Sequence, residues 1–290
     1  MNRTVTDQLA ELIRINTSCL PEDVESALVS ARAAATSPAE LQVLDALLEN
    51  AHLARDGATP VCQDTGTPTF FFTVPPRTDE VSLRKAAEAA AERATANGWL
   101  RRNTIDTLTG ASIDSNALPG EMPVCHFRAD PDAKAVTVSL LQKGGGSENM
   151  SRQFSLPDGE LGAGRDLDGV RRCILRAAWE AQGYGCAPGI LGVCVGGDRA
   201  EGYLAAKEQL LRPLGDDSPD PALAELERRV LREANSLGIG PMGLGGKTTL
   251  LGVKIAVRPR LPASYFVTVA YCCWACRRHT VTLKTEGGAL

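Results

Sequence analysis

Nine cysteines are the residues of this chain best suited to do chemistry: Cys19, Cys62, Cys125, Cys173, Cys186, Cys194, Cys272, Cys273 and Cys276. As thiolates they are nucleophiles and soft metal ligands. The N-terminus (MNRTVTDQLAELIRINTSCL) is amphipathic and lacks the apolar segment of a signal peptide. A reducing, cytoplasmic setting is therefore expected, in which ligand or redox roles outrank disulfides. No Cys-x-x-Cys is matched by a second one, so a zinc ribbon is not indicated. His52, His126 and His279 have no His-x-x-x-His spacing. A metal here would be held by thiolate. Cys62 stands out because Pro60-Val61-Cys62-Gln63-Asp64-Thr65-Gly66-Thr67 reads as a strand end running into a turn. That arrangement sets a soft ligand beside an amide and a carboxylate.

Three glycine clusters are further candidates. Lys143-Gly144-Gly145-Gly146-Ser147-Glu148-Asn149 follows a strand pattern, so its amides could form an anion-binding concavity. We read Gly145 and its neighbours as backbone that approaches a carboxylate substrate. Gly238-Ile239-Gly240-Pro241-Met242-Gly243 fits G-x-G-x-x-G but follows a helix, which excludes the dinucleotide fingerprint. Gly245-Gly246-Lys247-Thr248 resembles the end of a Walker A loop, yet Pro241 stands where its first glycine is needed. Cys125 beside His126 suggests a nucleophile and base, but neighbours in a strand point to opposite faces. Cys19, Cys173 and Cys194 fall in helix and strand patterns as packing residues.

These groups need elements to position them. Residues 5–53 read as helices, giving a helical N-terminal segment to about residue 55, with Pro21-Glu22-Asp23 and Ser37-Pro38-Ala39-Glu40 as starts. Helices are also expected over 82–97, 167–182, 200–211 and 222–237. Strands are expected over 69–74, 135–141, 190–195, 250–257 and 265–271. The order predicts a mixed α/β chain with α+β character, read as one domain over 1–290. The 290 residues are 43% hydrophobic and 23% charged, with net charge −4 and pI near 5.6. Such a balance argues against a nucleic-acid or membrane-surface partner. No apolar run is long enough to span a bilayer.

Taken together, the segments resemble the α-type half of the iron–sulfur hydro-lyases, the class I fumarase and L-tartrate dehydratase family. Four matches carry the resemblance: VCQDTGT at 61–67, KGGGSENMS at 143–151, GCAPGILGVCVGG at 185–197 and GIGPMGLGGKTT at 238–249. CWACRR at 273–278 is similar to the family's Cys-Trp-Ala-x-Arg-Arg close. The resemblance implies a [4Fe-4S] cluster with one open iron site, held by Cys62, Cys186 and Cys273. Cys272 and Cys276 are the alternatives to Cys273. It also implies addition or removal of water in a small dicarboxylate, fumarate/malate first. Asp64 is then the catalytic candidate, Gln63 a substrate hydrogen-bond partner and Arg101 the carboxylate arginine, with Arg102 competing.

Two departures qualify what the resemblance implies. Single-chain members continue into a second domain carrying further substrate arginines and the base, so a separate β subunit is expected, in a hetero-oligomer such as α2β2. Fumarases of the family have a histidine shortly before the third ligand, and Leu261 stands there in Arg260-Leu261-Pro262-Ala263-Ser264. The alternatives are an L-tartrate dehydratase α subunit or a catalytically inactive iron–sulfur protein of the same fold.

Overall fold

Thr4 and Asp7 cap each other reciprocally, side chain to backbone, and so start α1 (Val5–Ser18). The computed structural model describes residues 4–284. In chain order α1 is followed by α2 (Glu22–Ala34), α3 (Pro38–Gly57), β1 (Thr67–Val74), α4 (Glu80–Ala96), β2 (Thr104–Ile105), β3 (Ser112–Ile113), β4 (Val124–Ala129) and β5 (Thr137–Lys143). Then come α5 (Gly145–Asn149), β6 (Arg152–Ser155), α6 (Leu167–Ala181), β7 (Gly189–Gly196), α7 (Arg199–Gln209), α8 (Pro221–Asn235), β8 (Leu250–Arg258), β9 (Phe266–Cys272) and β10 (Arg277–Thr282). The fold is mixed α/β. Packing divides it into two compact units, one made of the chain up to Pro21, Asn50–Gly145 and the chain from Arg277 on, the other of Glu22–Glu49 and Gly146–Cys276.

The first unit is built on a sheet of order β10-β5-β1-β4. β5 runs antiparallel to both β10 and β1, and β1 runs parallel to β4. Helices α1 and α4 pack together and share one core with the sheet. Leu9, Leu12 and Ile13 come from α1, Phe70 and Phe72 from β1, and Leu83, Ala87, Ala90, Ala91 and Ala94 from α4. The small side chains of α4 are what its Ala-rich sequence offers, a face that permits close approach. Each buried Phe or Leu contributes roughly 1.5–3 kcal/mol. On β4 the Cys125 thiol donates to the Pro123 carbonyl at 3.5 Å, while His126 stacks on Phe71.

The second unit has a sheet of order β6-β9-β7-β8, with β7 parallel to β8 and antiparallel to β9. Leu191, Val193 and Val195 join the core formed with α6 and α8. A Cβ on Gly192, one residue along, would lie 2.1 Å from the Ala206 carbonyl of α7. The central strand is therefore covered on both faces. That is why residues 189–196 are all buried and read as one apolar run instead of an alternating one.

The helices and strands expected from sequence all form, with ends displaced by a few residues. Among the described residues five strands are added: the two-residue β2 and β3, and β4, β6 and β10. β6 and β10 read Arg-Gln-Phe-Ser and Arg-Arg-His-Thr-Val-Thr, polar sequences on the edges of their sheets. The glycine triplet, expected as a concavity of backbone amides after a strand, leads into the short helix α5. Cys19 sits just past the end of α1, not within it. No helix among the described residues is long and apolar enough to cross a membrane.

Candidate active site

The segment 61–66 of the first unit is irregular, so its backbone groups need partners outside a ladder. They have them. The Val61 amide donates to the Thr17 carbonyl at 3.0 Å, and the Val61 carbonyl accepts from Asn50 Nδ2 at 2.8 Å. Arg277 Nη2 donates to the Asp64 carbonyl at 2.9 Å. Gln142 Nε2 donates to the Thr65 carbonyl at 3.3 Å, and the Arg101 amide donates to Thr65 Oγ1 at 3.2 Å. Gln142 is fixed in turn by Thr17 and Asn16, and Asn16 by His279 Nδ1. A buried polar layer thus holds the turn that carries Cys62, Gln63 and Asp64, and it leaves little for a ligand to order.

Asp64 Oδ1 accepts the Gly66 amide at 3.1 Å. Its other oxygen lies against Gly144, where an added Cβ would come within 2.6 Å. A side chain there would push the Asp64 carboxylate aside. A cavity of about 480 Å³ is lined by Gln63, Asp64, Arg101, Asn103 and Gly145 among others. A second cavity, of about 450 Å³, is lined by Cys62, Gln63, Arg101 and Arg102. The four proposed catalytic and substrate-binding residues therefore surround one cavity. Arg101 lines both cavities and Arg102 only the second. The side chains of Cys62, Gln63 and Arg101 make no hydrogen bond or ion pair within the described residues. Asn116 Nδ2 instead fixes the Arg101 main chain through its carbonyl, at 2.7 Å.

In the second unit, Cys186 occupies a left-handed conformation, φ +49°, after a 3₁₀ turn. Backbone of this kind stores strain, and a bulky residue holds it only where neighbours impose it. The Trp274 amide donates to the Cys186 carbonyl at 3.2 Å. The Cys273 amide donates to Ser147 Oγ at 3.2 Å, and that of Tyr271 to Ser151 Oγ at 3.3 Å. The Tyr271 ring fills the space beside Gly185, where a Cβ would lie 2.5 Å from it. The two cysteine segments are thus joined by a main-chain bond, one of them is anchored on the Ser147 and Ser151 hydroxyls, and one buried ring floors them.

Solvent access separates the thiols. Cys186 is exposed and Cys62, Cys273 and Cys19 are half-buried; Cys125, Cys173, Cys194, Cys272 and Cys276 are buried. Burial pushes Cys173 up to about 12 and Cys125 and Cys194 to about 11. These three thus stay thiols at neutral pH and are poor nucleophiles and ligands. With a disulfide reagent at pH 8, Cys186 is expected to label first, and Cys125, Cys173 and Cys194 only after denaturant is added. Timed mass mapping of the labelled peptides checks this order.

The Walker-like segment has an internal occupant. Glu40, 1% exposed, accepts the amides of Lys247 at 2.7 Å, Thr248 at 3.2 Å and Thr36 at 3.3 Å. A carboxylate of the chain itself fills the place a phosphate would take. Glu40→Ala leaves buried donors unmet and is expected to cost about 2–4 kcal/mol, read from the urea midpoint.

Sequence reading missed Ser147, Ser151, Gln142 and Arg277 as supports of the site. Ser147 and Ser151 are four residues apart at α5, a spacing that puts both on one side of a helical turn. Only a helix reading of the glycine triplet would have revealed it.

Comparison with known proteins gives the family. A sequence model of the family described as fumarate hydratase (Fumerase) matches residues 6–282. The chain belongs to the fumarate hydratase (Fumerase) family. It is 42% identical over 288 residues to a Geobacillus stearothermophilus protein bearing the name fumarate hydratase class I, covering 98% of this chain and 56% of that protein. The chain thus spans about half the length of that Fumerase relative. It is 32% identical over 286 residues to a protein of Methanocaldococcus jannaschii bearing the name L(+)-tartrate dehydratase subunit alpha, covering 97% and 98% of the two chains. Identity to L(+)-tartrate dehydratase subunit alpha of Escherichia coli is 28% over 283 residues, covering 97% and 91%.

Proposed function

We propose that this chain is the α subunit of a [4Fe-4S]-dependent hydro-lyase that adds or removes water across a carbon–carbon bond of a small dicarboxylate, fumarate/malate first. The observation that carries the reading is the single cavity lined by Gln63, Asp64, Arg101 and Gly145, with Cys62 next in the same turn. Cys62, Cys186 and Cys273 are the proposed ligands. Among the described residues no three His, Cys, Asp or Glu side chains gather tightly enough to hold one metal ion. A cluster asks for something different, because each thiolate binds its own iron at a separate corner. Three thiols with solvent access suit that donor set, and Cys272 and Cys276, 1% and 0% exposed, suit it less.

When bound, the cluster would supply Lewis acidity, through the iron that has no thiolate, to a hydroxyl leaving group. The chain's own groups do the remaining work. The Arg101 guanidinium, without a hydrogen-bond or ion-pair partner among the described residues, offers a bidentate fork to a substrate carboxylate. Gln63 hydrogen-bonds the substrate and holds its orientation. Asp64, steadied by the Gly66 amide and by contact with Gly144, accepts or returns a proton at its carboxylate. The main chain at Gly145 approaches the second carboxylate without a side chain in the way. The base and further cationic groups are proposed to come from a separate β subunit, in a cytoplasmic hetero-oligomer such as α2β2. The subunit-alpha names of two relatives support this.

L-tartrate as substrate is the second reading, favoured by one residue. Leu261 is 74% exposed in the turn before β9, where the family's fumarases are expected to have histidine, and leucine transfers no proton. The test is anaerobic reconstitution with iron, sulfide and a β-type partner, followed by assays with fumarate, mesaconate and tartrate. Turnover is expected only from the pair, and the preferred substrate decides between the readings. Rapid turnover by the chain alone would overturn the two-subunit reading, and a loaded pair inactive on all three would overturn the hydro-lyase reading.

A further inference from the structure

Among the described residues of the first unit, the buried Lys, Arg, Asp and Glu side chains are Lys143, Arg277 and Arg278, three basic groups and no carboxylate. Arg277 is the most enclosed of them at 1% exposure. It opens β10 directly opposite Gln142 of β5, a neutral partner. Its Nη2 is spent on the Asp64 carbonyl, and its own carbonyl accepts Asn16 Nδ2 at 3.2 Å. Nε and Nη1 are sealed from solvent and have no hydrogen-bond partner among the described residues. No ion pair to Arg277 is formed there either. An uncompensated guanidinium in the interior is costly, so a fold retains it only where a negative charge offsets it.

Which anion this is can be argued from position. Arg277 lines neither cavity of the site, so a substrate carboxylate does not reach it. Its one side-chain bond is to the turn that also carries Cys62. We propose that Arg277 is the fixed counter-charge of the thiolate-held cluster at Cys62, acting through the low-dielectric interior to raise the cluster's reduction potential. The inference rests on the cluster reading of the proposed function. Each electron added to the cluster increases its negative charge, and a nearby cation favours the reduced form. Because its remaining N–H groups are enclosed, Arg277 works by its field, with no direct bond to the cluster required.

The test compares reduction midpoints of reconstituted clusters, titrated anaerobically with dithionite and followed by electron paramagnetic resonance. Arg277→Gln keeps a donor for the Asp64 carbonyl and removes the charge. The oxidised-to-reduced ratio at fixed potential is expected to rise about tenfold, a midpoint lower by about 59 mV for one electron. Arg277→Lys, which keeps the charge without the fork, is expected to hold the midpoint near the wild-type value, and a drop there as large as in Arg277→Gln overturns the field reading. Asn50→Ala, which loosens the same turn at Val61 without touching charge, is expected to leave the midpoint in place. An unchanged midpoint in Arg277→Gln, or an equal drop in Asn50→Ala, overturns the proposal. If the glutamine chain does not fold by circular dichroism, Arg277→Met, neutral and of similar length, takes its place, and an unchanged midpoint there overturns the proposal. Wild-type chain that takes up no cluster overturns the hydro-lyase reading and this one with it, whereas a loaded wild type with an unmoved variant overturns this one alone.

Discussion

Serine at Cys62, Cys186 or Cys273 is expected to abolish the brown colour and the iron content of anaerobically reconstituted protein, about four irons per chain. Serine at Cys19 or Cys173 is expected to leave both unchanged. The reason is the donor atom: an alkoxide is a far poorer partner for these irons than a thiolate, and three ligands leave none to spare. Cys173, held as a thiol deep in the second unit's core, serves as a control for the cost of burying a hydroxyl. Colour and iron assays separate the outcomes, with unfolding curves to show that each variant still folds. Full cluster retention in Cys273→Ser would move the third ligand to Cys272 or Cys276.

Arg101→Ala is expected to reduce kcat/KM of the reconstituted pair by about 2–5 kcal/mol of transition-state stabilisation, roughly 30- to 5,000-fold. The main chain of Arg101 is fixed by Thr65 and Asn116, so truncation removes the fork without releasing the segment. Iron content should not change. Arg102→Ala is the companion variant, expected to have the smaller effect because Arg102 does not line the cavity of Asp64 and Gly145. A reversed order of the two effects would assign the carboxylate to Arg102.

Part of this could be read from sequence, for definable reasons. The apolar run Ile190–Val195 marked a buried strand, whereas Gln63, Asp64 and Arg101 were named through the family resemblance, and they line one cavity. Arg277 and Gln142 were not read as part of the site. Their roles depend on which neutral and charged groups the sheet brings together below the turn, and a polar residue in a strand reads as solvent-facing until its neighbours are known. The two compact units leave no mark in composition, because their boundaries fall at the start of α2, inside α3, after the first residue of α5 and between Cys276 and Arg277. No linker is needed at such points. The glycine triplet misled as to its form, because glycine in a helix is disfavoured by propensity and only packing overrides it.

The main-chain bond from Trp274 to Cys186, the Ser147 anchor of Cys273 and the Tyr271 floor bear on the life history of the protein. None of these ties involves iron. In small zinc domains, stripping the metal unfolds the chain and the ligands disperse. If the proposed cluster is lost to oxidation, these ties are expected to outlast it, leaving Cys186 and Cys273 on segments still fastened together. An oxidised molecule is then a receptor awaiting repair rather than a misfolded chain awaiting proteolysis, and its recovery is limited by iron and electron supply, not by refolding.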